Sequence, residues 1–130
     1  MLIDILHMAR SNSSCDDLAR LPREWFRFAH VCDAEQQCPS TIEAIIRTAR
    51  DERLFPGEGT IDIRGILACM PEDIPYSLEI PRIALTRAVG PEEVARLAIR
   101  VAQNHLDDRP TRRSPRPAPV GAPVYAPAAP

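Results

Sequence analysis

Three residues stand inside or at the ends of apolar runs, and their types suit chemistry. Asp4 lies inside Leu2-Ile3-Asp4-Ile5-Leu6. His30 ends the run that starts at Trp25, and Glu79 ends the short run that starts at Tyr76. Two carboxylates and a neutral imidazole form a hard, oxygen-rich donor set. Such a set suits Mn²⁺ or Mg²⁺, with Co²⁺ or Zn²⁺ as alternatives. A metal held there would act as a Lewis acid on substrate oxygens, beside a carboxylate able to take a proton. Each residue also has a structural explanation. A buried Asp4 needs a partner charge in any case. His30 taken alone reads as a satisfied core histidine, and Glu79 has Arg53 and Arg82 as salt-bridge partners. Metal ligation is favoured because His7 and His30 both fall near the ends of neighbouring strands.

Between His30 and Glu79 runs Arg53-Leu54-Phe55-Pro56-Gly57-Glu58-Gly59-Thr60-Ile61-Asp62. Pro56, Gly57 and Gly59 exclude a helix or a central strand. They predict a tight loop whose backbone approaches a ligand closely. Polar groups at the ends of buried strands, with a glycine loop between them, are the arrangement of an α/β active-site rim. Arg53 can fork its guanidinium onto substrate oxygens, although a cation at a helix end is favourable for structural reasons alone. Asp33 and Asp51 read as loop acids, with support of a metal ligand as the lesser alternative. His105 reads as packing on the last helix, and Cys32 as a buried thiol.

The elements that must position these residues follow from pattern. Strands are expected over residues 2–6, 25–31 and 76–80, where β-branched and aromatic residues collect. Helices are expected over 15–21, with Ser14 as N-cap, and from Pro39-Ser40-Thr41 to about residue 51 or 53. There Ser40 and Glu43 have capping-box spacing, and Ile42, Ile45, Ile46 and Ala49 share a face. A helix is also expected over 62–70, and a last one from Gly90-Pro91-Glu92-Glu93 to about Leu106. Residues 82–89 read as irregular. Alternation of this kind predicts parallel βαβ units. A three-stranded parallel sheet leaves two open edges and poorly covered faces, so self-association through those edges is expected. A strand that begins at residue 2 predicts chain missing upstream.

Composition narrows the function classes. Residues 109–130 hold seven prolines, four arginines and no acid, which predicts a disordered tail after a folded part of residues 1–108. Setting the tail aside leaves 12 arginines against 18 acids, a net charge of −6. An acidic fold argues against nucleic-acid or membrane-surface binding. The four cysteines lack Cys-x-x-Cys spacing, which argues against a structural zinc site and for free thiols in a reducing compartment. With no long apolar run and no leader-like start, a cytoplasmic protein is expected.

Four motifs together resemble the C-terminal portion of the sugar phosphate isomerase/epimerase family, with its xylose isomerase-like TIM barrels. They are Asp4-Ile5-Leu6-His7, His30-Val31-Cys32-Asp33, the loop beginning at Arg53, and Ser77-Leu78-Glu79-Ile80. The resemblance covers about residues 1–106. It implies an α/β fold of about three βα units of a (β/α)₈ barrel, incomplete in this chain. It further implies that Asp4, His30 and Glu79 bind one divalent metal, that His7 and Arg53 contact substrate oxygens, and that Glu79 and His7 are catalytic. The family's further glutamate ligand, on an earlier strand, has no match here.

The function so implied is a metal-dependent isomerase or epimerase reaction on a small sugar or polyol substrate. A dehydratase of a cyclic polyol or ketone on the same scaffold is the alternative, and a non-catalytic fragment is another. A DNA-repair endonuclease on the same barrel fits less well. Such an enzyme carries a histidine two residues after an aspartate, where Asp51-Glu52-Arg53 has arginine.

Overall fold

The computed structural model describes residues 1–11 and 13–107. The expected tail, residues 109–130, lies outside them. The described chain is mixed α/β. Its strands β1 (Leu2–Asp4), β2 (Phe28–Val31) and β3 (Tyr76–Leu78) form one sheet in the order β1-β2-β3. Both pairings are parallel, with Asp4 opposite His30 and His30 opposite Ser77. The helices are α1 (Ile5–Arg10), α2 (Cys15–Ala19), α3 (Ile42–Arg50), α4 (Ile63–Ala68), α5 (Ile83–Val89) and α6 (Pro91–Asp107). None is long and apolar enough to cross a membrane.

Side chains alternate across a strand, so the sheet has two distinct faces. Ile3, Ala29 and Val31 point to one and are buried. They pack with Ile5 and Leu6 of α1, Leu18 of α2, and Ile63, Ile66 and Leu67 of α4. Leu2 and Phe28 point to the other face and stay about 40% exposed. A second, smaller cluster joins Phe55 of the glycine loop to Val94 and Ala98 of α6.

Several expected elements change. The first strand stops at Asp4, because the Asp4 carboxylate accepts the His7 N–H at 3.2 Å and caps a helix. An aspartate ahead of an apolar run starts α1 where β-branched residues had argued for more strand. Residues 23–25 form a 3₁₀ turn, so the second strand starts at Phe28. The cap of α3 is Thr41, whose Oγ1 accepts the Ala44 N–H, one residue later than the Ser40 expected. Ile42, Ile45, Ile46 and Ala49 do share a helix face; Ala49 packs against the core, while the three isoleucines stay exposed. Residues 83–89 are helical and rest on α6. That helix has no side-chain N-cap and only seven residues, so its sequence carries no start signal and its stability comes from packing.

Candidate metal centre

Asp4 ends β1 and begins α1, and its two oxygens divide the work. Oδ1 accepts the His7 N–H and caps the helix. Oδ2 faces the neighbouring strand end, 2.8 Å from Arg53 Nη1 and 3.6 Å from His30 Nδ1. His30 projects from the bare side of β2, its ring edge-on to Phe28. Glu79 lies one residue beyond β3 on the same side as Ser77, held by its N–H to the Val31 carbonyl at 3.3 Å. Its Oε2 meets His30 Nδ1 directly. Donor atoms of Asp4, His30 and Glu79 all lie within 4.8 Å of one another.

Arg53 reaches the cluster because the chain wedges between strand ends. Beyond β2 and β3, residues 52–54 run antiparallel to both neighbours. Leu54 exchanges hydrogen bonds with Asp33 at 2.8 and 2.9 Å, and the Arg53 N–H donates to the Pro81 carbonyl. The Arg53 side chain is 3% exposed. It donates to the Ala49 carbonyl through Nε and to Asp4 through Nη1, and Nη1 also lies 3.3 Å from Glu79 Oε2. Burial by itself would push the Asp4 carboxyl up. The Arg53 hydrogen bond and charge, with the His7 N–H and the Glu79 contact, outweigh it and hold that carboxyl below the usual range. Burial works against the charged Arg53 as well, and the hydrogen bonds and charges of Asp4 and Cys32 together outweigh it, so the guanidinium is held more firmly protonated than usual. Cys32 beside it is buried and its thiol is pushed up; it is packing, as expected.

The glycine loop is organised by Asp33, a residue expected to be a loop acid or, less readily, the support of a metal ligand. Asp33 is 1% exposed. Its Oδ2 accepts the N–H groups of Gly57 and Gly59 at 2.9 and 3.0 Å, and Oδ1 those of Ala34 and Ile61 at 2.8 and 3.2 Å. Four backbone donors satisfy one buried carboxylate, so it needs no cation. A Cβ on Gly59 would stand 2.4 Å from the Ala34 carbonyl oxygen, and only glycine fits so close an approach. Gly57 has φ +90°, a conformation that side chains rarely adopt. The signal was present as the last residue of His30-Val31-Cys32-Asp33, but nothing in a sequence tells a buried acceptor from a loop acid.

On the loop's outer side Glu58 accepts the Phe55 N–H and pairs with Arg82, whose guanidinium stacks 4.7 Å over the Phe55 ring. Arg82 therefore serves Glu58 rather than Glu79. Of the residues expected to do chemistry, the structure brings together Asp4, His30, Glu79 and Arg53. His7 stands on the first turn of α1 with its ring exposed; among the described residues no hydrogen bond or ion pair joins that ring to the other four. His105 rests over Gly57, in keeping with packing.

The three donors fit a divalent ion chemically. They come from three adjacent strand ends, they are two carboxylates and an imidazole, and a three-residue set leaves positions open for water or substrate. Arg53 now supplies the positive charge between the carboxylates.

No family model matches the sequence, and no curated protein does. Among solved structures the chain is similar to the 1.8 Å crystal structure of an IolI protein with a bound zinc atom. The TM-score is 0.68 at 20% identity, over 85% of this chain and 38% of that one. At that identity the likeness is one of fold alone. The three-stranded parallel sheet and its helices are thus arranged like part of a TIM-barrel-like protein more than twice as long.

Proposed function

We propose that Asp4, His30 and Glu79 bind one divalent metal ion, and that this site serves isomerase- or epimerase-type proton transfer on a sugar-like hydroxy-ketone. The observation that carries the reading is the convergence of the three donors within 4.8 Å on the bare side of the sheet. The zinc atom in the similar IolI structure supports a divalent metal, and the oxygen-rich set favours Mn²⁺ or Mg²⁺. When bound, the ion supplies Lewis acidity that eases the negative charge developing on substrate oxygens.

The chain's own residues divide the remaining tasks. Glu79 is the open carboxylate, its side chain 41% exposed against 6% for Asp4. It is the group that takes and returns the α-proton. Asp4 stays ionised because Arg53 holds it so. Arg53, buried against Asp4 and close to Glu79, orients both carboxylates and lends charge toward substrate oxygens. The exposed His7 ring is the donor for a substrate hydroxyl. Leu2 and Phe28, exposed beside the cluster, together with the outer edges of β1 and β3, are the surface through which self-association proceeds.

The test is a Mn²⁺ titration followed by electron paramagnetic resonance on the purified chain and on Glu79→Gln, with circular dichroism to show that both are folded. One saturable site in the parent, weakened at least about tenfold in the variant, is expected. Equal weak binding by both folded proteins overturns the proposal.

A further inference from the structure

Away from the metal centre, behind the covered face of the sheet, two thiols meet. Cys15 opens α2 and Cys69 caps the end of α4. Both sulfurs turn to one acceptor, the Gly65 carbonyl oxygen, Cys69 Sγ at 3.2 Å and Cys15 Sγ at 3.8 Å. With both sulfurs on one carbonyl oxygen, the two thiols are neighbours, and Cys69 helps to raise the Cys15 thiol. Both are free and half-buried. Each can be reached from its own side. Cys15 lines an open depression of about 220 Å³ with Met8, Ser13 and Asp62, and Cys69 one of about 190 Å³ with Leu18 and Phe26. The other cysteines lack this setting, since Cys32 is fully buried beside Arg53 and Cys38 is exposed.

We propose that Cys15 and Cys69 form an oxidative modification site, closed to an intramolecular disulfide by a small peroxide. One sulfur attacks the peroxide as its thiolate. The O–O bond breaks, the sulfur gains the hydroxyl of a sulfenic acid, and the other oxygen leaves as water or an alcohol after taking a proton. The second sulfur then attacks the first. The S–O bond breaks, the S–S bond forms, and the hydroxyl leaves as water with the second thiol's proton. Two thiols lose two electrons and two protons, and one peroxide is reduced by two electrons. Both side chains must turn off the Gly65 carbonyl to reach disulfide geometry.

The setting also fixes the pace. Burial, then the hydrogen bond and charge of Cys69 and the nearby Asp62 and Asp16 carboxylates, push the Cys15 thiol up to about 11. Thiolate on Cys15 is therefore scarce at neutral pH, so attack through that sulfur is slow there and faster as pH rises, by up to about tenfold per unit. The bond ties the first turn of α2 to the end of α4, the helix that follows the glycine loop.

The experiment uses the full chain carrying Cys38→Ser, which prevents cross-linking between exposed thiols. Hydrogen peroxide is added at neutral and alkaline pH, free thiols are alkylated, and peptides are mapped by mass spectrometry. The expected result is a Cys15–Cys69 cross-linked peptide in monomeric protein, formed faster at the higher pH and reversed by dithiothreitol. The thermal midpoint should rise by about 5 °C or more on closure. Cys15→Ser and Cys69→Ser each keep a donor for the Gly65 carbonyl, and each should abolish the cross-link while unfolding at the parent's reduced-state midpoint. Peptides in which both cysteines stay alkylatable, or carry separate sulfinic acids with no cross-link, overturn the proposal.

Discussion

The two faces of the sheet are made from the same three strands and carry opposite burdens. On the covered face Ala29 and Val31 are fully buried, and Ile3 nearly so, against helices α1, α2 and α4. On the bare face, one residue out of phase, stand Phe28, His30 and Ser77, with Asp4 and Glu79 at the strand ends. The first face gains free energy from apolar area removed from water. The second gathers two carboxylates, an imidazole and a guanidinium, groups that are costly to bring together unless each finds a partner. Stability and chemistry are thus separated by the two-residue period of the strand rather than by distance along the chain.

The largest effect that sharpens this contrast is a charge on the covered face. Val31→Asp buries an unpaired carboxylate and should cost more than about 4 kcal/mol in urea unfolding. Phe28→Ser, three residues earlier on the bare face, should cost less than about 1.5 kcal/mol. Comparable losses at both positions would break the comparison.

Next comes the border between the faces. Arg53→Ala leaves Asp4 buried without its cation and should cost about 3–5 kcal/mol. Glu79→Gln, at the open end of the same cluster, should change stability by less than about 1 kcal/mol. Chemical denaturation of the pair tells whether Arg53 is chiefly a structural partner of Asp4. A loss as large for Glu79→Gln as for Arg53→Ala would make the cluster one structural unit.

The glycine loop gives a smaller effect. Gly59→Ala forces a methyl group against the Ala34 carbonyl and the Asp33 carboxylate, and about 1–3 kcal/mol of destabilisation is expected. Hydrogen exchange should show the Gly57 and Ile61 amides losing protection first. Unchanged protection would show that Asp33 does not hold the loop.

The smallest effect lies at the far surface. Asp17 shares a capping box with Ser14, and the Ser14 hydrogen bonds hold its carboxyl below the usual 3.8. A lowered folded value means that the cap's contribution is complete above pH about 3.8 and is lost as pH falls through the depressed value. The loss should be a shallow acid limb in the stability profile, absent from Asp17→Asn.

Much of this arrangement was legible in the chain. Apolar runs located all three strands, and Ser14 and the Pro91-Glu92-Glu93 start located helices, because capping and proline rules act within one turn. The motifs that hold Asp4, His30 and Glu79 singled out the three side chains that the strand ends bring together. Other features were not legible. Asp4 ends its strand because it caps α1, and α5 forms because α6 supports it; local propensity was ambiguous in the first case and silent in the second. The apolar stripe of α3 was readable, but its exposure was not, since periodicity reports a face and never what covers it.

Sequence alone therefore determined which groups were available: a hard donor set, a loop that only glycine can form, and strands with a helix-facing side. Tertiary structure decided their partners. It gave Arg53 to Asp4 and Arg82 to Glu58, and it turned Asp33 into the clamp of the glycine loop. It also set Cys15 beside Cys69. The physical reason is range. Propensity and capping act over a few residues along the chain, whereas charge pairing and backbone acceptance are settled by which distant segments the packed core brings within hydrogen-bond reach.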